Sequence, residues 1–350
     1  QDLTDGVDSA WRNLSESVEQ ASSDSPPGTS MEREPEEDRG GDQMGGCKNL
    51  LVVLNPVAGT TTPDLVRQSL EHYLEGKATY ERYETTGHDQ EKVGEVVRAA
   101  CQRGVDLVIA AGGDGTVSAV ADGLVQTNVP LGILPIGTAN LLAQELGIPQ
   151  DLDAACQLAV EAPATRSIDA MQVGDRCFIL NIGTGLDSLL ISGTRREQKR
   201  RFGLLAYVWN GIASLVGYQP RRFSIQADDQ HRRVHAAEVI LTNGGFLGLP
   251  ILRWGPDIHP DDGVITICIA SARTLLDYLN IAWHMLRGQH RRSRHMRYLY
   301  ARRTISVYAD TPLPVHADGE IIGTTPVQVR VVPRAVRVVV PAGRGNHRPG

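Results

Sequence analysis

Apolar residues in the first half of the chain recur in two alternating patterns. Short apolar runs predict buried strands at 50–54, 105–111 and 131–134, and the aromatic segment at 80–83 predicts a fourth. Apolar residues at helical spacing predict helices between these strands. The predicted helices of this half cover 65–74, 93–100, 116–125, 137–146 and 152–161. Strands that alternate with helices in this way predict an α/β domain built on a parallel sheet.

Beyond residue 167 the pattern changes to one dominated by strands. The predicted strands of this half are 168–173, 177–182, 223–227, 235–242, 264–270, 304–308 and 327–332. Helical spacing interrupts them at 203–216 and 275–287. We therefore predict a β-rich second domain, with a last strand at 335–340 that returns to the first domain.

These changes of pattern set the predicted domain boundaries. The α/β domain covers 47–166, the β-rich domain covers 167–332, and the segment 333–342 rejoins the first domain. Residues 1–46 are rich in Ser, Glu, Asp, Gly and Pro, and few of them could enter a core. We predict that this segment is a disordered acidic tail.

Charge is distributed unevenly along the 350 residues. The net charge is −6, but the tail holds twelve acidic and three basic residues, which leaves the remaining chain mildly basic. Arg287–Arg303 contains seven arginines and no acid, and Arg195–Arg201 is a second basic run. Near an anionic leaflet each base contributes about 1 kcal/mol, so a membrane surface is one predicted partner. A solvated basic face is the alternative.

Other features bear on partners and compartment. The apolar segment Phe202–Tyr218 predicts either a lipid-entry surface or a core helix. No nucleic-acid-binding motif accompanies the arginines, so we expect no nucleic-acid partner; a homodimer stays open. The five cysteines are scattered without a Cys-x-x-Cys pair, which favours a cytoplasmic protein over a disulfide scaffold.

Three glycine-containing turns each follow a predicted strand of the first domain. They are Asn55–Gly59, Gly112–Thr116 and Pro135–Asn140. In a parallel sheet such turns share the carboxyl edge, where ligands bind. Two of them also open predicted helices, whose unpaired N–H groups attract anions. Together they predict a phosphate-binding site, although each turn alone is equally consistent with a simple tight turn.

Two acidic turns in the second domain are candidates for chemistry. Asp318-Gly319-Glu320 places two carboxylates around a glycine, which could supply a general base or a metal ligand. An ordinary hairpin turn has the same sequence signature. His259–Val264, which contains Asp261-Asp262-Gly263, leads into a strand, and its carboxylates and carbonyls could hold a hard cation.

In this order, these motifs resemble the catalytic region of diacylglycerol kinases, especially the soluble bacterial form. The resemblance covers about 48–341. The matching elements are Asn-Pro-x-x-Gly (55–59), Gly-Gly-Asp-Gly-Thr (112–116), Pro-x-Gly-Thr-Ala-Asn (135–140), Asn-x-Gly-x-Gly-x-Asp (181–187), Asp-Asp-Gly (261–263) and Asp-Gly-Glu (318–320). Gly-Gly-Asp-Gly-Thr alone also occurs in NAD kinases, but the whole set is specific to the lipid kinases.

The resemblance implies a nucleotide-binding domain joined to a β-sandwich, with the active site in the cleft between them and with ATP and Mg²⁺ as cofactors. The implied ATP-binding residues are Asn55, Pro56, Val57, Ala58, Gly59, Thr85, Gly112, Gly113, Asp114, Gly115, Thr116, Val117, Ser118, Gly137, Thr138 and Asn140. Asp318 matches the proton acceptor, while Glu320 and Asp114 match residues that position magnesium and phosphate. The roles of Asp318 and Asp114 could be exchanged.

The resemblance also implies a separate structural magnesium, with Asp262 as its carboxylate ligand and with His259 and Val264 contributing carbonyls. The chain departs from the family pattern at Thr60, where a basic residue is common, and at Ser118 and Ala119, where Asn and Glu are usual.

The implied activity is transfer of the γ-phosphoryl group of ATP to diacylglycerol, which gives phosphatidic acid, by a cytoplasmic enzyme at the membrane surface. Ceramide, a sphingoid base and monoacylglycerol are alternative acceptors. An NAD kinase-like enzyme and a non-catalytic nucleotide-binding protein at the membrane are further alternatives.

Overall fold

The computed structural model describes residues 49–59, 62–75, 78–86, 90–186, 219–247, 249–255 and 257–342. Four features of the sequence lie outside these residues: the acidic tail 1–46, Thr60, the basic run Arg195–Arg201 and the apolar segment Phe202–Tyr218.

The first domain alternates strands and helices as its apolar pattern predicts. Its strands are β1 (Asn49–Leu54), β2 (Thr79–Glu84), β3 (Leu107–Gly112) and β4 (Leu131–Pro135). Its helices are α1 (Pro63–Leu74), α2 (Gln90–Gln102), α3 (Asp114–Leu124), α4 (Leu141–Leu146) and α5 (Leu152–Glu161). The strands lie in the order β2-β1-β3-β4 and all pair in parallel. The predicted α/β class is therefore confirmed.

The second domain is built mainly from antiparallel strands. These are β5 (Ala164–Val173), β6 (Arg176–Phe178), β7 (Asn181–Gly185), β8 (Arg221–Ala227), β9 (Gln230–Ala236), β10 (Glu238–Thr242), β11 (Phe246–Leu247), β12 (Leu249–Arg253), β13 (Ile265–Ala270), β14 (Met296–Ala301), β15 (Thr304–Ala309), β16 (Pro314–Ala317), β17 (Glu320–Thr324) and β18 (Val327–Val340). Among the described residues of this domain, a helix, α6 (Leu275–Leu286), and a 3₁₀ turn, His290–Arg292, interrupt the strands.

Two sheets face each other in this domain. One has the order β14-β13-β10-β7-β16-β17, and the other contains β18, β15, β8 and β9 together with β5 and β6. Fully buried side chains such as Phe223, Ile225, Val239 and Ile267 fill the space between them. This is the predicted β-sandwich.

Strand β18 joins the two domains through continuous sheet pairing. Residues 327–330 of β18 pair with β15, and residues 330–332 and 336–340 pair with β5. Val338 also pairs in parallel with Leu131 of β4. Two separate strands were predicted here, at 327–332 and 335–340. A register shift between Val332 and Val336, with Arg334 at a φ of 51°, bends one strand instead of ending it.

Two other predicted strands are wrong because each spans a change of sheet. The segment 177–182 divides into β6, in the larger sheet, and β7, in the smaller one. The segment 235–242 divides between β9 and β10, which also lie in different sheets. Apolar residues fill both crossing points, with Ile179 and Leu180 in the first and Ala237 in the second, so the hydrophobic pattern does not record where the chain crosses the core.

The third glycine turn also differs from the prediction of a helix that begins at Gly137. Helix α4 begins at Leu141, and its preceding residue, Asn140, has left-handed φ and ψ of 50° and 50°. The Asn140 amide donates hydrogen bonds to the carbonyl oxygens of Pro135 and Gly137, at 2.9 and 3.0 Å. These bonds close the segment into a turn, so the helix starts four residues later than predicted.

Candidate active site

The three glycine turns lie side by side at the carboxyl edge of the parallel sheet. They follow β1, β3 and β4, which are neighbours in the sheet. Thr85 follows β2 at the same edge, and its buried backbone N–H donates to the carbonyl oxygen of Leu54 at 2.9 Å. The structure therefore brings together the segments that sequence assigned to ATP.

Glycine is required where these turns touch one another. A Cβ atom on Gly59, which has a φ of 61°, would lie 1.8 Å from the carbonyl oxygen of Ile136. A Cβ atom on Gly137 would lie 2.4 Å from the Cα atom of Gly113. The three backbones therefore pack in direct contact, and the ligand-facing edge is formed mostly by main-chain groups.

Side chains fix the first turn to the second. The Asn55 amide donates to the hydroxyl oxygen of Thr116 at 3.1 Å, and its carbonyl oxygen accepts from the N–H of Val57 at 3.1 Å. The Val57 side chain is 73% exposed, whereas Val117 is buried in the core. Of these two predicted ATP contacts, Val57 can offer its side chain and Val117 only its backbone.

The remaining predicted contacts surround these groups. Pro56, Ala58, Gly113 and Gly115 are half-buried, Gly112 and Ser118 are buried, and Thr138 is exposed at the rim. The side-chain oxygen of Asn140 accepts from the N–H of Gly137 at 3.0 Å, so this residue shapes its own turn.

Asp114 opens helix α3 inside this cluster. Its carboxylate accepts a hydrogen bond from the N–H of Leu141, at 2.6 Å, and thereby joins the second turn to the start of α4. Burial raises the pKa of Asp114 from 3.8 to about 6, against the opposing effect of the backbone N–H groups of Leu141 and Leu142. The charge of Asp318 raises this pKa further, which indicates that the two carboxylates lie near each other.

Asp318 occupies the turn between β16 and β17, where its φ is 46°. Its carboxylate accepts hydrogen bonds from three consecutive backbone N–H groups, those of Ile179, Leu180 and Asn181, at 3.0, 3.1 and 2.8 Å. A fourth comes from the hydroxyl of Ser118 in the other domain. The predicted hairpin turn is thus present, and it delivers a carboxylate to the glycine turns.

Two opposing effects act on the Asp318 carboxyl. Burial raises its pKa above the ordinary value of 3.8, while the hydrogen bonds from Ser118 and the three N–H groups lower it. Burial is the larger effect, so the carboxyl is a stronger base than an exposed aspartate. A carboxylate with raised basicity beside a phosphate-binding edge is suited to accept a proton from a hydroxyl.

Glu320 points to a different partner. Its carboxylate pairs with the Arg176 guanidinium at 3.0 Å, and Arg176 also approaches Glu91 of α2 at 3.6 Å. Within the described residues, no cluster of three or more His, Cys, Asp or Glu side chains could hold a metal ion. Kinase magnesium sites use one or two carboxylates together with substrate phosphates, and Asp114 at the glycine turns fits that smaller requirement.

The turn predicted to hold a structural magnesium is tightly hydrogen-bonded. The Asp262 carboxylate accepts from the N–H of Val264 at 2.9 Å, and burial raises its pKa. Asp261 forms a bidentate pair with Arg166, with both distances 2.6 Å, and His259 is exposed. The Asp262 carboxylate fits the predicted ligand role, and the metal itself remains a prediction.

The sequence did not predict a role for Asp169, which binds the backbone of this turn. Asp169 is fully buried, and its two oxygens accept from the N–H of Gly263 at 2.6 Å and of Arg334 at 2.8 Å. It thereby joins the acidic turn to the bend in β18. An acid inside the apolar run 168–173 was the available signal, because a buried carboxylate requires partners.

A narrow cleft lies beside the Asp318 carboxylate. It is lined mostly by apolar side chains, among them Leu141, Leu142, Ile179, Leu180 and Phe246. The backbone N–H groups of Ile179 and Leu180 are the same ones that bind Asp318. The volume of this cleft is about 10 Å³, which is room for about one water molecule.

Comparison with known proteins identifies both domains. Residues 49–173 match the diacylglycerol kinase catalytic domain, and residues 181–340 match the YegS C-terminal NAD kinase beta sandwich-like domain. A crystal structure of a Bacillus anthracis protein superposes with a TM-score of 0.71 at 23% identity, over 85% of this chain and 98% of that one. This likeness shows the shared fold.

The chain matches two curated relatives over nearly the whole length of those relatives. The chain is 31% identical to a diacylglycerol kinase of Bacillus subtilis over 304 residues, which is 84% of this chain and 97% of that protein. It is 29% identical to a diacylglycerol kinase of Staphylococcus aureus over 306 residues, or 84% and 93% of the two chains. The chain belongs to the diacylglycerol kinase family and is a lipid kinase.

Proposed function

We propose that this lipid kinase transfers the γ-phosphoryl group of ATP to the primary hydroxyl of diacylglycerol and gives phosphatidic acid. The observation that carries the proposal is the position of Asp318. Its buried carboxylate is hydrogen-bonded to Ser118, on the helix that the second glycine turn begins. A proton acceptor and a phosphate-binding edge thus meet at one point.

The reaction can be written with each group in a definite role. The hydroxyl oxygen of the lipid attacks the γ-phosphorus and forms the new O–P bond, while its proton passes to the Asp318 carboxylate. The bond between the γ-phosphorus and its bridging oxygen breaks, and ADP leaves with the electron pair. Backbone N–H groups at the start of α3 stabilise the charge on the phosphoryl oxygens.

Magnesium, when bound, would neutralise charge on the ATP phosphates. Asp114 is the carboxylate best placed to help hold it, because it stands at the first residue of α3 beside the glycine turns. Asn55 and Thr116 would keep the first two turns in register with the phosphates through their mutual hydrogen bond.

The choice of diacylglycerol rests on two observations. Apolar side chains such as Ile179, Leu180 and Phe246 lie beside the backbone that binds Asp318, and they suit a lipid acceptor better than a polar acceptor such as NAD. Two relatives that match over more than nine-tenths of their own length are named diacylglycerol kinases. Neither observation depends on the other.

A lipid panel tests the proposal. The purified full chain would be incubated with magnesium and radiolabelled ATP and with diacylglycerol, ceramide, a sphingoid base or monoacylglycerol. We expect labelled phosphatidic acid from diacylglycerol and none from the Asp318→Asn variant. A coupled assay for NADP should be negative. Labelling of another lipid alone would overturn the assignment of diacylglycerol, and labelling of no lipid would overturn the kinase mechanism.

A further inference from the structure

The solvent-facing side of helix α6 is entirely apolar. Every residue of the helix that is exposed has an apolar side chain. These residues are Leu275, Leu276, Leu279, Ala282, Trp283 and Leu286. Leu276 is 75% exposed, and Leu279, Trp283 and Leu286 are each more than half exposed. A surface helix ordinarily directs charged and polar residues to solvent, so this face is the reverse of the expected pattern.

The opposite side of α6 is what holds it to the protein. Ile281 and Met285 are buried in a small core with Ile258, Cys268 and Met296. A capping box between Thr274 and Asp277 fixes the start of the helix. The exposed stripe therefore contributes little to folding, and its apolar character requires another explanation.

Arginines border this stripe at its carboxyl end. The Arg287 guanidinium lies over the Trp283 ring, 4.1 Å from its centroid. The 3₁₀ turn that follows carries Arg291 and Arg292, both exposed. Arg291 pairs with Asp257 at 3.1 Å, and both of these side chains are 65% exposed, so the pair is weak.

A basic groove continues from this turn along strand β14. Its lining includes Arg232, Arg291, Arg297, Tyr298 and Tyr300, and none of the described residues that line it is acidic. Tyr300 is 44% exposed. Leucines and a tryptophan thus stand next to cations and tyrosines, which is the composition of a surface that binds at the interface of an anionic bilayer.

We propose that α6 and the adjoining arginines form the membrane-docking surface of this protein, and that its partner is an anionic lipid bilayer. The leucines and Trp283 would enter the headgroup region while Arg287, Arg291 and Arg297 contact lipid phosphates. A protein partner would need an apolar groove with an acidic rim. An anionic bilayer offers both features at once, because its negative headgroups cover a hydrocarbon core. The proposal rests on the proposed function, since a lipid kinase must reach a substrate held in a membrane.

Vesicle flotation tests this surface directly. The full chain would be mixed, without ATP or diacylglycerol, with vesicles of phosphatidylcholine alone or of phosphatidylcholine with phosphatidylglycerol. We expect binding to the anionic vesicles that weakens as salt is added. The variant Leu276→Gln with Leu279→Gln should bind them at least about tenfold more weakly, because two inserted side chains are lost.

The chain offers a matched control. Leu65 on α1 is 54% exposed, close to the 56% of Leu279, and it lies in the other domain. Leu65→Gln should leave vesicle binding unchanged. A second variant, Arg291→Glu with Arg297→Glu, should lose binding to anionic vesicles and keeps the proposal testable if the leucine variant misfolds.

Specific outcomes would overturn the proposal. One is equal vesicle binding by the wild type and both α6-surface variants. Another is a leucine variant that changes the molecular mass in solution while its vesicle binding is retained, which would assign the stripe to a second copy of this chain.

Activity on a short-chain diacylglycerol dissolved as a monomer separates this proposal from the kinase mechanism. The docking variants should retain that activity, because no membrane is involved. If the wild type binds anionic vesicles but phosphorylates no lipid, the docking surface stands and the proposed function fails.

Discussion

The hydroxyl of Ser118 donates a hydrogen bond to the carboxylate of Asp318, which lies 200 positions later in the chain. Ser118 belongs to α3, which begins at the second glycine turn, and Asp318 belongs to the β16–β17 turn of the sandwich. This bond therefore connects the phosphate-binding edge with the proposed proton acceptor. It also gives a role to a residue where the family commonly has asparagine.

Replacing Ser118 with alanine should move the pH dependence of phosphoryl transfer. The Ser118 hydroxyl lowers the pKa of Asp318, so its loss raises that pKa and keeps the carboxyl protonated to higher pH. We expect the acid limb of kcat/KM to shift to higher pH and kcat at neutral pH to fall about tenfold. A pH–rate profile of the two proteins measures both effects.

Ser69→Ala is the matched control for this change. Ser69 is also a buried serine of the first domain, and its hydroxyl donates to the Asp153 carboxylate on α5, away from the glycine turns. Its pH profile should equal that of the wild type. If the acid limb of the pH–rate profile does not shift in Ser118→Ala, Asp318 is not the base.

Asp114→Asn should make the protein more stable above pH 6. The pKa of Asp114 is 3.8 when unfolded and about 6 when folded. Below pH 3.8 both states hold the proton. Between pH 3.8 and about 6 the unfolded state has released it while the folded state retains it, so the free energy of unfolding falls across this range and the loss is complete above pH 6. The full shift corresponds to at most about 3 kcal/mol. Asparagine avoids this loss and can still accept from Leu141.

Thermal melts between pH 4 and pH 8 measure this effect. The melting temperatures should coincide near pH 4 and separate in favour of Asp114→Asn at neutral pH. Parallel curves would show that Asp114 ionises normally in the folded protein. Kinase activity should fall in the same variant, because the carboxylate beside the phosphates is lost.

Gly59→Ala should weaken ATP binding by disturbing the contact between two turns. The new methyl group would lie 1.8 Å from the Ile136 carbonyl oxygen, so one of the turns has to move. Gly174→Ala is the control, because Gly174 has a similar φ of 57° but nothing within 4 Å of the added atom. We expect calorimetry to show at least about tenfold weaker ATP binding for Gly59→Ala alone. Equal affinities would contradict a tightly packed cradle.

Asp169→Ala should destabilise the protein without touching the glycine turns. It leaves the part-buried N–H groups of Gly263 and Arg334 without their acceptor, at up to about 1–3 kcal/mol each. Chemical denaturation should show a loss of about 2–5 kcal/mol. Asp229→Ala, which removes a carboxylate that is 89% exposed, should change the free energy of unfolding by less than about 0.5 kcal/mol. If Asp169→Ala and Asp229→Ala lowered the free energy of unfolding by similar amounts, Asp169 would not stabilise this region through its hydrogen bonds.

The sequence predicted the first domain well because its signals are local. Strands β1, β3 and β4 are short apolar runs that each end at a glycine turn, so they fall within a few residues of their predicted bounds. The same logic located the glycine edge and the turn that holds Asp318. These features depend on periodicity and on turn chemistry, both of which a single segment carries.

Features that depend on distant partners escaped prediction. The run Arg287–Arg303 was predicted as a basic segment that faces a membrane or solvent, and no strand was predicted in it, yet residues 296–301 form strand β14, with Met296 buried and Arg297 exposed. The spacing at 275–287 predicted a helix, and only the structure shows that one side of α6 lacks a covering layer. The link between Ser118 and Asp318 required both domains to be in place.

The bent strand β18 restricts how the two domains can move. Before the bend β18 is hydrogen-bonded to β15 and β5, and after the bend it is hydrogen-bonded to β5 and β4. A rigid rotation of one domain would therefore break the backbone hydrogen bonds of several strand pairs at the same time. The bend at 332–336 is where that pairing is interrupted, and Asp169 holds its backbone at Arg334. We expect the domains to flex slightly about this bend when nucleotide is exchanged. The hydrogen bond from the Arg334 N–H to Asp169 would limit that motion.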